Sequence, residues 1–173
     1  MLGEERFERA WGSLGASVTR YCAFATGSLE VGEDLAAETF ARFLTHGAAV
    51  REDRTEAWLF TVARNLCASH HRSQSRLLRL ADKLAGAGGE PEAPDAARDG
   101  LDPELLSAVR GLRESERLAI YLRVVEERPY AEVAQVLGRS EGATRMLVLR
   151  SLRRLRTRLT TAAQLAVAAE GDA

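Results

Sequence analysis

Two apolar patterns with the period of an α-helix flank a glycine between residues 129 and 159. Pro129 can begin the first helix and Gly138 can end it, while Ser140 is a favourable N-cap for the second. The apolar positions of the first helix are Tyr130, Val133, Ala134 and Leu137. The predicted buried stripe of the second helix is Val148, Leu152, Leu155 and Leu159. Two helices joined in this way predict a helix-turn-helix, whose second helix can enter the major groove of DNA.

The charge of the second helix favours a nucleic-acid contact. Residues 142–169 contain six arginines and no acid, whereas the whole chain has a formal net charge of -1. Basic charge concentrated on one helix fits a surface that faces phosphates. Arginines also form the solvated face of ordinary helical bundles, so this alternative stays open for the helix taken alone. The low overall pI of 6.3 is unlike that of a free-standing DNA binder and favours delivery to DNA by another protein.

Similar apolar patterns predict helices in the first half of the chain. The first runs from Glu4 to Thr26 and ends at Gly27. Its apolar stripe is Phe7, Trp11, Leu14, Val18, Cys22 and Ala25. The second is predicted to carry Glu33 and Asp34 in its first turn, where the helix dipole favours carboxylates. Its predicted buried stripe is Leu35, Ala36, Thr39, Phe40, Phe43 and Leu44.

A third helix is predicted after a loop from His46 to Glu56, with Thr55 as a candidate N-cap. Its apolar positions are Trp58, Leu59, Val62 and Leu66. Residues 57–83 contain five Lys or Arg and one acid, whereas residues 1–56 contain six basic and ten acidic residues. The first domain is therefore predicted to have an acidic side and a basic side.

The overall composition predicts an all-α protein with two small helical domains. Ala, Leu, Arg and Glu dominate, while aromatic residues make up only 6% of the 173 residues. Residues 84–101 are rich in Gly, Ala, Pro and acids, and this composition predicts a flexible acidic linker. The predicted domains are therefore residues 1–83 and 102–173, and Pro103 can begin the first short helix of the second.

Several classes of function are disfavoured by the sequence. Cys22 and Cys67 lie inside apolar helical patterns and are predicted to be reduced core thiols of a cytoplasmic protein. The run Cys67, His70, His71 lacks a second pair of ligands, so neither a metal nor a cofactor is predicted. No apolar stretch approaches about 18 residues, so membrane insertion is not predicted either. No nucleophile, base and orienting group converge in any motif, so no catalytic residue is predicted.

Four segments follow one another in the chain: VGEDLAAETFARF, AWLFTVARNLCASHHR, an acidic linker and LRESERLAIYLRVVEERPYAEVAQVLGRSEGATR. Their sequences and order resemble those of the extracytoplasmic-function (ECF) group of bacterial sigma factors. The resemblance covers residues 7–159. It implies a sigma region 2 domain at 1–83 and a sigma region 4 domain at 102–173, which together bridge core RNA polymerase and promoter DNA. It also implies an anti-sigma factor as a partner.

The resemblance implies three sets of contact residues. The polymerase-binding set, on or directly behind the contact, is Asp34, Leu35, Glu38, Phe40 and Arg42. Leu35 and Phe40 are expected to be core for at least half of their surface, so Glu38 and Arg42 are the favoured contacts. The set for the minus-ten element is Arg64, Asn65, Arg72 and Arg76, with Asn65 meeting a base and the arginines meeting the backbone. The set for the minus-thirty-five element is Ser140, Glu141, Thr144, Arg145 and Arg150. The loop His46–Glu56 corresponds to the loop that caps a flipped base in this group.

The main departure from the group is the pair Met146 and Leu147, where a serine and an arginine are usual. Both are off the predicted stripe of their helix, so both are expected to be exposed. Three explanations are open: apolar contacts with thymine methyl groups, a surface for an anti-sigma factor or activator, and weakened DNA contact. The second of these is favoured, and it makes Met146 and Leu147 a candidate partner surface.

The predicted function is that of a transcription initiation factor that directs core RNA polymerase to specific promoters. A sigma-like interaction protein, with weak or atypical contact to the minus-thirty-five element, is the alternative that would explain Met146 and Leu147. A second alternative, a plain helix-turn-helix repressor, would need neither the helix that contains EDLAAETF nor core RNA polymerase.

Overall fold

The computed structural model describes residues 2–85 and 102–170. These residues form seven α-helices and contain no β-strand, which confirms the predicted all-α fold. They fall into two compact units, with the division between residues 99 and 100. Most of the predicted linker, residues 86–101, lies outside the described residues, so its flexibility stays a prediction. None of the described helices combines the length and the apolar character needed to span a membrane.

The first unit consists of three helices, α1 (Glu4–Thr26), α2 (Leu29–His46) and α3 (Thr55–Ala85). Gly27 ends α1 in the left-handed conformation with a φ of 75°, so both predicted ends of α1 are confirmed. The hydroxyl of Ser28 accepts a hydrogen bond from the Val31 amide and begins α2. The predicted start of α2 is therefore wrong by about one turn, because Ser28 begins the helix before the acidic pair at 33 and 34.

The core of the first unit lies between α1, α2 and α3. Its fully buried side chains include Val18, Tyr21, Cys22, Phe43, Leu59 and Phe60. The predicted burial of Cys22 and Cys67 is confirmed, and both are free thiols. A hydrogen bond to Cys67, together with burial, raises the pKa of the Cys22 thiol. Because the thiolate is the reactive form, Cys22 serves packing rather than chemistry.

Gly32 allows the close crossing of α1 and α2. A Cβ atom at this position would lie 2.6 to 2.8 Å from the backbone N, Cα and Cβ of Ala23. Gly12, also within a helix of this unit, has nothing within 4 Å of the same hypothetical atom. The two glycines therefore differ in packing and not in secondary structure.

The Gly32→Ala substitution should lower the free energy of unfolding by about 2 to 3 kcal/mol, since the two helices must separate to admit the methyl group. Urea unfolding of the full chain, followed by the fluorescence of Trp11 and Trp58, both in the first unit, measures this loss. Gly12→Ala is the matched control and should raise stability by up to about 1 kcal/mol, because alanine favours the helix. Equal effects of the two substitutions would contradict the proposed role of the crossing.

The second unit contains α4 (Pro103–Arg110), α5 (Glu114–Ile120), α6 (Tyr130–Leu137) and α7 (Glu141–Glu170). A π-helical turn, Tyr121–Val125, continues α5. The predicted start of α4 at Pro103 is confirmed, and the carboxylate of Asp102 caps it by accepting a hydrogen bond from the Glu104 amide. Helices α6 and α7 form the predicted helix-turn-helix, in which Gly138 ends α6 with a φ of 62°.

A buried carboxylate ties α5 to α7. The Glu116 side chain accepts a hydrogen bond from the Arg113 amide at 2.8 Å, which caps α5. Both of its oxygens also lie 2.9 Å from Nη1 of Arg154 on α7. Since one carboxylate serves the cap and the ion pair together, it fixes where α7 lies on the rest of the unit.

Candidate nucleic-acid and protein interfaces

Helix α3 extends beyond the core of the first unit and presents a polar, basic face. Its N-terminal half is buried at Leu59, Phe60, Ala63 and Cys67, whereas every side chain from 72 to 81 is exposed. Positions spaced i, i+4, i+7, i+11 and i+14 share one face of a helix. On α3 these positions, here called the α3 stripe, are Asn65, Ser69, Arg72, Arg76 and Arg79. The stripe is about 21 Å long at the rise of an α-helix.

The α3 stripe is suited to a polyanion. No acid occurs from 57 to 81, and in the described part of the chain none of its arginines takes part in an ion pair. Of the four predicted minus-ten residues, Asn65, Arg72 and Arg76 lie together on the stripe, whereas Arg64 is partly buried and off it. Arg79 was not predicted, although its spacing from Arg72 and Arg76 places it on the same face.

Helix α3 contacts α1 through His71, next to Arg72 of the stripe. A ring nitrogen of His71, Nε2, lies 2.9 Å from the carbonyl oxygen of Ala25, near the C-terminus of α1. This contact marks the end of the packed part of α3, since the following residues are exposed. His71 is therefore a structural contact, and among the described residues no group of His, Cys, Asp and Glu could hold a metal ion.

The loop between α2 and α3 contains two short 3-10 turns, Gly47–Ala49 and Glu52–Arg54. Arg6 on α1 fixes it, because its Nη2 donates to the Val50 carbonyl at 2.6 Å and to the Thr55 hydroxyl at 3.0 Å. The loop is thus held from both sides, by α1 and by the start of α3. A held loop can offer a fixed surface to a ligand at a smaller entropic cost than a free one.

The outer face of α2 carries the polar residues of the predicted polymerase-binding set. Asp34, Glu38 and Arg42 are exposed and follow one another at a spacing of four residues. Nε of Arg42 donates to Oε1 of Glu38 at 2.8 Å, with both side chains about half exposed. This surface combines charges of both signs and is accessible to a partner.

Two members of the predicted polymerase-binding set lie largely behind that surface, as expected for residues that also belong to the core. Phe40 is only 2% exposed, and Leu35 is partly buried. Phe40 packs edge-on against Trp11 of α1 with ring centroids 4.8 Å apart, so it supports α2 from behind and is not available for contact. Conversely, Trp11 and Leu44 were predicted to be buried and are exposed by 48% and 42%.

The turn of the helix-turn-helix is closed by Ser140. Its hydroxyl accepts a hydrogen bond from the Ala143 amide at 3.2 Å, which confirms Ser140 as the N-cap of α7. Its carbonyl accepts a hydrogen bond from the hydroxyl of Thr144 at 3.0 Å. Thr144 is fully buried, so the prediction that it contacts DNA is wrong.

The buried face of α7 differs from the predicted stripe. Among the side chains described from 141 to 161, the buried positions are Thr144, Leu147, Val148, Ser151 and Leu155. Leu152, a predicted core residue, is 40% exposed, and Leu147, a predicted surface residue, is 7% exposed. The hydroxyl of Ser151 donates to the Leu147 carbonyl at 2.8 Å, so this polar side chain can be buried without an unpaired donor. Leu147 therefore belongs to the core and cannot be part of a partner surface.

The opposite face of α7 is exposed and basic. Its α7 ridge, spaced i, i+4, i+7 and i+11, is Gly142, Met146, Leu149 and Arg153. Glu141, Arg145 and Arg150 are exposed beside it, as the minus-thirty-five prediction requires. Arg145 pairs with Glu141 at 3.0 Å, and Nε of Arg150 donates to the Met146 carbonyl at 3.3 Å.

An aromatic ring orients two arginines at the start of α6. The guanidinium carbons of Arg123 and Arg145 each lie 4.9 Å from the centroid of the Tyr130 ring. Cation–π contacts of this kind hold a guanidinium in a defined place, and for Arg145 the contact adds to its ion pair with Glu141. Arg123 was not predicted, because its association with α7 depends on the fold and has no local signature in the sequence.

Comparison with known proteins matches both units. The model for sigma-70 region 2 matches residues 11–77, and the model for sigma-70 region 4 matches residues 103–155. The chain is similar to the ECF RNA polymerase sigma factor BldN of Streptomyces coelicolor, with 34% identity over 87% of this chain and 59% of BldN. It is also similar to the ECF sigma factor SigL of Mycobacterium tuberculosis, with 30% identity over 83% of each chain.

A solved structure is similar in fold. The sigma factor RpoE of Bartonella quintana, determined in complex with the anti-sigma factor NepR, aligns with a TM-score of 0.59 and 24% identity. The alignment covers 89% of this chain and 96% of RpoE.

Proposed function

Because the chain belongs to the extracytoplasmic-function sigma factors of RNA polymerase, we propose that it binds core polymerase through α2 and directs it to promoters through α3 and α7. The observation that carries this proposal is the presence of one exposed basic surface on each unit, the α3 stripe and the α7 ridge with its flanking arginines. The α7 ridge lies within the part of the chain that matches sigma region 4, and the α3 stripe from Asn65 to Arg76 lies within the part that matches region 2. The factor acts in the cytoplasm and has no catalytic activity of its own.

In this proposal the two basic surfaces have different targets. Asn65 on the α3 stripe meets a base of the melted minus-ten strand, while the arginines that follow it track the phosphates. Ser140, Glu141, Arg145 and Arg150 contact the duplex at the minus-thirty-five element, with Arg123 as an additional phosphate contact. Glu141 can accept a hydrogen bond from a cytosine amino group in the major groove.

The alternative function, that of a sigma-like interaction protein, loses part of its support. It depended on Met146 and Leu147 both being exposed, and Leu147 is buried. An anti-sigma factor stays a predicted partner, with Met146 as the remaining exposed member of that pair.

Transcription with purified core polymerase tests the proposal. The full chain added to core enzyme should produce transcripts from discrete start points, whereas core enzyme alone should not. The free chain should bind the same promoter poorly, because its net charge of -1 opposes the phosphates outside the basic helices. Failure to bind core enzyme, or unchanged start points after binding, would refute the proposed function.

The Glu38→Arg substitution should weaken the binding of the chain to core polymerase by about tenfold or more. It reverses a charge at the centre of the outer face of α2, where electrostatic complementarity guides binding. The exposed pair with Arg42 contributes little to folding, so the unit should keep its stability. Titration of labelled chain with core enzyme measures the change.

Glu5→Arg provides the matched control for this prediction. It makes the same change of charge at an exposed position of α1, near the N-terminus of the same unit. Binding of core polymerase should be nearly unchanged. If both substitutions weaken binding equally, overall charge and not the α2 surface would determine affinity.

A further inference from the structure

The α7 ridge carries apolar side chains on a face that solvent reaches. Met146 is 51% exposed and Leu149 is 40% exposed, one turn apart on the same line of the helix. Gly142 precedes them on this line, and a Cβ atom there would meet nothing within 4 Å. The first turns of α7 therefore present a narrow apolar strip that another molecule can approach closely.

The charges around this strip identify the occupant as nucleic acid. Arg145, Arg150 and Arg153 lie beside or on the ridge, no acid occurs from 142 to 161, and the neighbouring Glu141 is paired with Arg145 at 3.0 Å. A strip of methyl and methylene groups between guanidinium groups complements a DNA major groove, in which phosphates flank the bases. The C5 methyl of thymine is the apolar group that this groove exposes, and it distinguishes thymine from the other bases.

We infer that Met146, supported by Leu149, reads thymine methyl groups in the minus-thirty-five element. The inference rests on the proposed function and specifies which bases this chain selects. Arg145 and Arg150 are placed to position the helix on the backbone or on guanines, so the apolar strip supplies the selection for thymine. An exchange of methionine for a polar side chain should therefore change sequence preference more than it changes affinity for DNA in general.

Substitution of deoxyuridine for thymidine tests the inference directly, because the two nucleotides differ only by the methyl group. A minus-thirty-five sequence is first selected from a randomised promoter library by polymerase carrying the full chain. Each thymidine in it is then replaced singly by deoxyuridine. At one or two positions the replacement should weaken the promoter complex about fourfold, as expected for removing one buried carbon from an apolar contact.

Variants of Met146 separate methyl recognition from general binding. With Met146→Ser the thymidine and deoxyuridine promoters should bind equally, whereas Met146→Leu should keep the difference. Both variants should fold normally because the side chain is half exposed. Equal binding of both promoters by the wild-type complex would overturn the inference, while promoter opening by that complex would leave the proposed function intact. If the chain does not direct polymerase at all, both fail.

Discussion

Replacing Arg72 and Arg76 together by alanine should weaken promoter binding by the polymerase complex about 10- to 100-fold at moderate salt. Both side chains are exposed on the α3 stripe and outside any ion pair in the described residues, so they are available to phosphates. Each charge-assisted contact contributes on the order of 1 kcal/mol, and each single-strand phosphate contact changes the slope of log K against log salt by about 0.7. The slope should therefore decrease in magnitude by about 1.4. Titration of a labelled promoter at several salt concentrations measures both effects.

The control for this prediction is the replacement of Arg9 and Arg20 by alanine. Both side chains are exposed on α1, and the double substitution removes the same amount of charge from the same unit. Their loss should leave the salt slope unchanged, and neither double variant should alter the affinity for core polymerase. Adding Arg79→Ala to the stripe variant should lower the slope by about a further 0.7. Equal slopes for the two double variants would refute the stripe as the path of the DNA strand.

Helix α1 shows where the sequence is sufficient to predict structure. Its apolar stripe from Phe7 to Ala25 extends over about five turns, and Gly27 follows soon after, so the pattern and the helix-ending glycine predict the same end. At α2 two signals competed, because Ser28 is a cap and Glu33 with Asp34 fit a first turn. The cap determined the start, since its hydroxyl pairs with an amide that would otherwise lack a partner.

The sites differ in how far the sequence could predict them. Arg72 and Arg76 were correctly placed on an exposed face, because a regular helix carries them beyond the core. The triple contact of Arg123, Tyr130 and Arg145 joins three separate elements, so no local pattern could reveal it. Phe40 has the same apolar character whether it faces a partner or the core, and only its packing against Trp11 decides between them.

The buried face of α7 was missed because two of its members are polar. Thr144 and Ser151 each donate a side-chain hydrogen bond to the carbonyl four residues earlier, which removes the cost of burying a hydroxyl. A pattern of apolar residues alone does not mark Thr144 and Ser151 as buried positions. The predicted buried face was therefore shifted around the helix toward Leu152, which placed Leu152 in the core and Leu147 on the surface, the reverse of the structure.

Replacing Leu147 by alanine should destabilise the second unit by about 3 kcal/mol, although the sequence pattern places this residue on the surface. The side chain is 7% exposed, and its truncation leaves a cavity in the core of the second unit. For a unit of this size the loss corresponds to a decrease in melting temperature of about 12 to 24 °C. Amide hydrogen exchange of the full chain measures the effect on α7 separately from α1 to α3.

Met146→Ala is the matched control, since it truncates the neighbouring side chain on the opposite, exposed face of the same helix. Exchange rates in α7 should then change by less than about 0.5 kcal/mol in equivalent free energy. The two variants should also differ in function: Leu147→Ala should impair all minus-thirty-five contacts as the unit opens, whereas Met146→Ala should alter only the choice of sequence. If Met146→Ala destabilised α7 as much as Leu147→Ala, the two side chains would share one environment. This result would refute both the assignment of Leu147 to the core and the exposure of Met146 on the α7 ridge.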